Sequence, residues 1–167
     1  PTGIFNETAH TNARTRIPKP SAQWLEASLK QSIDHILANG ITSFHEAGSG
    51  ASWVELYHKL LHRDELKIRL YVMLSGDDED LLSDYFAKGI FIDSLHRLTI
   101  RSVKLYADGA LGSRGAWLLK AYSDAPGKFG HNVRDMEALN KLTLAATQAG
   151  FQVCTHAIGD RGNREVL

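Results

Sequence analysis

Apolar positions along the chain recur in two rhythms that take turns. Leu25, Leu29, Ile33, Ile36 and Leu37 fall at helical spacing between Ser21, a good N-cap, and Gly40, placed where a left-handed C-terminal cap belongs. The run Ile41–Glu46 is short and β-leaning and closes in Ala47-Gly48. Helical spacing returns from about Ser52 to His62. Ile68, Leu70, Val72 and Leu74 then alternate cleanly, which predicts a strand. A third helix is expected from Asp80 to Lys88, behind the acidic stretch Asp77–Asp80, and another strand from Ser102 to Ala107. A glycine-rich segment, Asp108–Asn132, leads to a helix from about Asp135 to Ala149, and Phe151–His156 forms the last strand. The first twenty residues read as irregular.

Helix and strand thus alternate four times, and the helix-to-strand joints at Gly40 and Gly150 are alike. This rhythm predicts an α/β fold with helices packed on a parallel sheet. Two architectures satisfy it: a small doubly wound sheet, or part of an eight-stranded (β/α)8 barrel with about four consecutive strand–helix units. A whole barrel takes roughly 250 residues, and the chain has 167. It begins at Pro1 without a methionine and stops at Leu167 inside what reads as a new helix, so it is expected to be a fragment of something longer, with both architectures still open.

Composition narrows the function classes. Nineteen basic and nineteen acidic residues cancel, which gives no basic surface for nucleic acid or anionic lipid. At 43% hydrophobic and 23% charged residues the chain is neither disordered nor fibrous. No apolar run approaches the roughly 18 residues of a membrane span. One cysteine excludes a disulfide framework within the chain. It fits a reducing compartment, and the cytoplasm is the default location.

In parallel α/β folds chemistry gathers at the carboxyl ends of strands. In Ser102–Asp108, alternation puts Val103, Leu105 and Ala107 on one face and Lys104, Tyr106 and Asp108 on the other. A buried lysine is costly unless paired or neutralised; the plain alternative is an edge strand with Lys104 in water. In the last strand Gln152, Cys154 and His156 oppose Phe151 and Val153, and His156 stands at the carboxyl end, a common place for a metal ligand or acid–base residue. His58 and His62 have zinc-like spacing, but the Glu of the helical zinc motif is missing and an exposed amphipathic face explains them better. Cys154 reads as a small buried hydrophobe. Gly109–Gly115 follows a strand and could cradle a phosphate, although it matches neither common phosphate-loop motif.

Val103–Arg114, reading VKLYADGALGSR, resembles the hallmark segment of amidohydrolase family 3, metal-dependent hydrolases similar to N-substituted formamide deformylase. His156–Arg161, HAIGDR, resembles its second hallmark. Pro1–Phe5, Gly40–Gly48 and Tyr122–Gly127 are similar to weaker blocks in the expected order. The resemblance implies a (β/α)8 barrel with one or two divalent ions, zinc by expectation, at the strand ends. It implies that Lys104 is carboxylated to a metal-bridging carbamate and that His156 is a ligand. It places Asp108, Arg114 and Asp160 in the same motifs as substrate-binding or ligand-supporting residues; Tyr106 and Glu46 are added as pocket-lining candidates. The implied reaction is hydrolysis of a small non-peptide amide, with proton transfer by an Asp after the last barrel strand.

The family's first-strand His-x-His pair does not occur in these residues, and the later His and Asp would lie past Leu167. Two ligands are fewer than the three a catalytic zinc usually takes from protein, so the chain alone is expected to be inactive. The alternative is a self-contained doubly wound domain that binds a phosphorylated ligand without catalysis. A partial barrel would also expose strand edges near Ile41–Glu46 and Phe151–His156, which invites edge pairing or a homo-oligomer.

Overall fold

A computed structural model describes residues 14–167, so the Pro1–Phe5 block lies outside the described residues. These residues form two compact units. The larger comprises residues 20–104 and 143–154; the other comprises 14–19, 105–142 and 155–167.

The larger unit opens with helix α1 (Ala22–Ala38), where Ser21 Oγ accepts the Trp24 N–H at 3.2 Å. Gly40, at φ 75°, ends it and donates to Leu37 O. Strand β1 (Ser43–Ser49) starts two residues later than the sequence suggested and runs three further. Its register against β2 (Arg69–Ser75) skips Gly48, whose φ of 118° supplies the positive dihedral of a bulge. Helix α2 (Ala51–His62) buries Val54, Leu56, Tyr57 and Leu60, and α3 (Glu79–Lys88) buries Leu81, Leu82 and Tyr85. The acidic stretch has a structural task here. Asp78 Oδ1 accepts the Leu81 N–H as the α3 cap, while Oδ2 accepts the Ala51 N–H at 2.8 Å, so one carboxylate joins the starts of two helices.

A two-residue strand β3 (Phe91–Ile92) follows and pairs antiparallel with the start of β4 (Leu98–Tyr106). The sequence reading had neither β3 nor the first four residues of β4. Their turn has no glycine or proline; instead Asp93 Oδ2 accepts the N–H groups of Leu95 and Arg97, and His96 takes a φ of 55°. Strands β1, β2 and β4 are parallel and lie side by side in the order in which the chain reaches them. Among the described residues the order does not reverse, so they hold no switch point of a doubly wound sheet. The other edge of β4 is shared between β3 and β5 (Gln152–His156).

The second unit carries the end of β4, the glycine-rich loop, the start of α4 (Met136–Gln148), the end of β5 and α5 (Asp160–Val166). Ala107 donates its N–H to His156 O at 2.8 Å, and Ala107 O accepts from Val133, which joins both strand ends to the loop.

Candidate functional site

Register sorts the larger unit's side chains into two faces. Leu70, Val72 and Leu74 of β2 are buried, and Glu46 lies opposite Val72, so Glu46 shares that face. Lys104 lies opposite Ser75, on the alternate face with Tyr71 and Met73. The bulge at Arg101 resets β4 so that Val103 is fully buried while Lys104 keeps partial access to solvent. Strand β4 is paired along both edges, so Lys104 is not a residue of a free edge strand. On its face the sequence reading overlooked two residues: His45 stacks on Tyr71 at 4.8 Å, and the Tyr71 hydroxyl donates to Gln152 Oε1 at 2.8 Å. The signal was available, since both follow the period-two alternation.

Glu46 was expected beside the same site as Lys104, yet it stands on the helix-packed face. It borders a cavity of about 470 Å³ lined by Leu29, Ile33, Phe44, Trp53 and Tyr57 among others. Burial pushes its carboxyl above the usual range. Burial also takes the Tyr57 phenol up to about 12. The helical histidine pair is occupied elsewhere: His58 Nε2 meets the Tyr85 hydroxyl at 2.9 Å and His62 Nδ1 meets His58 O at 2.7 Å. His62 is exposed as expected, while His58 is half-buried.

In the second unit His156 ends β5, with 27% of its side chain exposed. The Tyr106 ring lies 5.5 Å from its imidazole. Asp108 Oδ1 is 3.8 Å from His156 Nε2, beyond hydrogen-bond reach. The carboxylate of Asp108 is buried and fully engaged: Oδ2 accepts the N–H groups of Trp117 at 2.8 Å and Gly159 at 2.7 Å, and Oδ1 accepts that of Ile158 at 2.9 Å. Asp160 Oδ1 accepts the N–H of Leu119 and of Arg161. The Arg114 guanidinium is spent on Asp124 at 2.8 Å, and this pairing raises the one group's pKa and lowers the other's.

The glycine loop folds on itself. The N–H groups of Gly109, Arg114, Gly115 and Ala116 all donate to carbonyls within the loop. These donors are therefore not available to a phosphate, which weakens the phosphate-binding alternative.

Among the described residues, no group of three or more His, Cys, Asp or Glu side chains could hold a metal ion. His156 nevertheless fits a ligand's requirements: it stands at a strand end, is partly open to solvent, and neither ring nitrogen is hydrogen-bonded among the described residues. The sequence profile of the amidohydrolase family matches residues 1–167. The chain belongs to that family. It is 29% identical to Protein LONG AFTER FAR-RED 3 of Arabidopsis thaliana, covering 100% of this chain and 30% of that protein. It is 27% identical to the Bacillus subtilis (strain 168) protein named "Putative amidohydrolase YtcJ", covering 100% of this chain and 32% of the other. Among solved structures it is similar to an uncharacterized metal-dependent hydrolase of Pyrococcus horikoshii OT3, with a TM-score of 0.86, 30% identity, and coverage of 99% of this chain and 34% of that one. The chain therefore spans about a third of the length of these relatives.

Proposed function

We propose that the chain is the middle part of a (β/α)8-barrel hydrolase that cleaves amide-type C–N bonds of small molecules and depends on a divalent metal, zinc by preference. The observation that carries this reading is the match of the whole chain to the amidohydrolase family, together with its similarity to a metal-dependent hydrolase. Lys104 and His156 are the residues assigned to hold the metal. Lys104 is suited to this by its place: a lysine within a strand paired on both edges gains if its amine adds to CO2 with loss of a proton, since the resulting carbamate is an anion that cations neutralise. His156 supplies a neutral imidazole nitrogen. When bound, the metal supplies Lewis acidity and water activation at neutral pH.

The other residues of the two hallmark segments take supporting tasks. Tyr106, 42% exposed and against the His156 ring, is the side chain placed to meet substrate. Arg114 and Asp160 hold the loop through Asp124 and the Leu119 amide. Neither faces substrate in this reading. The remaining ligands and the proton-transferring Asp come from other strands of the barrel, so this chain by itself is inactive.

The test is ¹³C NMR of the full-length protein under ¹³CO2, paired with amide-hydrolysis assays. A carbamate signal lost in Lys104→Ala, with hydrolysis lost in both Lys104→Ala and His156→Ala, is the expected result. Hydrolysis untouched by either substitution would sink the assignment.

A further inference from the structure

We infer that Asp108 is a positioning residue: its buried carboxylate clasps the loop after β4 to the turn after β5, and so fixes the strand end on which His156 stands. This rests on the metal-ligand reading of His156 given above.

The side chain cannot serve substrate. It is 1% exposed, and its two oxygens take three backbone N–H groups, one from Trp117 and two from the adjacent Ile158 and Gly159. Charge-assisted bonds of this kind are about twice as strong as neutral ones. The same turn is gripped from the other side. Trp117 O accepts the N–H groups of Arg161 and Gly162 at 3.1 Å each, which satisfies two donors of the first turn of α5, and the Arg161 guanidinium lies 4.4 Å over the Trp117 ring. A single residue, Trp117, thus joins the carboxylate to the helix, through its N–H on one side and its C=O on the other.

Glycine makes the approach close enough. A Cβ on Gly159 would fall 1.9 Å from Trp117 O, and one on Gly162 would fall 2.8 Å from Asp108 Oδ2. Both glycines serve contact rather than an unusual dihedral, since neither has a positive φ. His156 is two residues before Ile158, so the turn held by Asp108 continues directly from the residue that carries the imidazole. Groups that orient ligands from behind typically change metal affinity by 10–100-fold when removed.

The experiment uses the full-length protein with Asp108→Asn, in which the amide –NH2 must face either the Ile158 N–H or the pair from Trp117 and Gly159. Hydrogen exchange without metal is read first, then affinity for Zn²⁺ alone by chelator competition. Leu60→Ala, in the α2 core of the other unit, is the control for a general loss of stability, compared at equal Tm. We expect exchange of the Trp117, Ile158 and Gly159 amides to rise at least about tenfold with the α2 amides unchanged, and Zn²⁺ affinity to fall about tenfold or more while Leu60→Ala keeps it. Unchanged exchange, or an affinity loss no larger than that of the control, overturns the inference. If Asp108→Asn does not fold, Gly162→Ala decides. It adds helix propensity yet presses on Oδ2, so a several-fold affinity loss without a loss of Tm supports the clasp, and unchanged affinity overturns it. If the wild type binds no Zn²⁺, the zinc-ligand reading of His156 fails, and the exchange result alone then supports or overturns the clasp.

Discussion

His58 holds its imidazole between the Tyr85 hydroxyl at 2.9 Å and the edge of the Phe91 ring, with centroids 4.6 Å apart. Burial, and after it the charge of His62, pushes its pKa below the usual value of 6.5. On unfolding the ring regains an ordinary pKa, so below about pH 6.5 the unfolded chain takes up a proton that the folded chain resists. The stability is present above that pH and is lost as pH falls through the folded value. Thermal melts from about pH 7.5 down to about pH 5 should therefore drop less in His58→Gln than in wild type; parallel curves would contradict the assignment. Glu46 has the opposite sign, because burial raises its carboxyl. Its unfavourable contribution is absent in acid and appears as pH rises through the folded value, so Glu46→Gln should raise Tm at neutral pH and leave it unchanged near pH 4. At this scale alternation made the facing of Lys104 legible. Glu46 was misplaced because a strand's period does not say which of its faces the helices cover. The task of Asp108 was hidden because its partners are backbone amides 9, 50 and 51 residues away, a relation no local pattern encodes.

At the scale of elements, close approach and turn geometry separate the glycines. Gly159 and Gly130 are enclosed: an added Cβ would meet Trp117 O at 1.9 Å and Ala116 O at 2.0 Å. Gly40 has a φ of 75° but nothing within 4 Å of an added Cβ. Gly40→Ala should then cost about 1 kcal/mol, the left-handed penalty alone. Gly159→Ala must displace the backbone where loop meets α5 and should cost several times more; equal losses in denaturant melts would refute the distinction. In α2, Leu60 has no exposed surface, so Leu60→Ala should lose about 2–5 kcal/mol. The helices were legible because capping residues and a one-sided apolar stripe coincide, as at Ser21 and Gly40. The β3 turn was not, because a side-chain oxygen of Asp93 does the work that a glycine usually signals.

On the scale of the whole molecule, the chain covers about a third of the length of its relatives. Among the described residues β1 pairs only with β2, and Phe44 on it is 38% exposed. An open edge of this kind recruits further strands, so the 167-residue chain expressed alone should elute as an oligomer or aggregate in size-exclusion chromatography, and a monodisperse monomer would contradict the partial-barrel reading. The alternation of helix and strand was enough to give the parallel sheet, and the two hallmark segments gave the family. The most direct test of the central claim is the metal content of the full-length protein by elemental analysis, compared with Lys104→Ala and His156→Ala. One or two divalent ions per chain are expected in the wild type, with a clear loss in each variant and the fold retained. Metal content unchanged in both folded variants would contradict that claim.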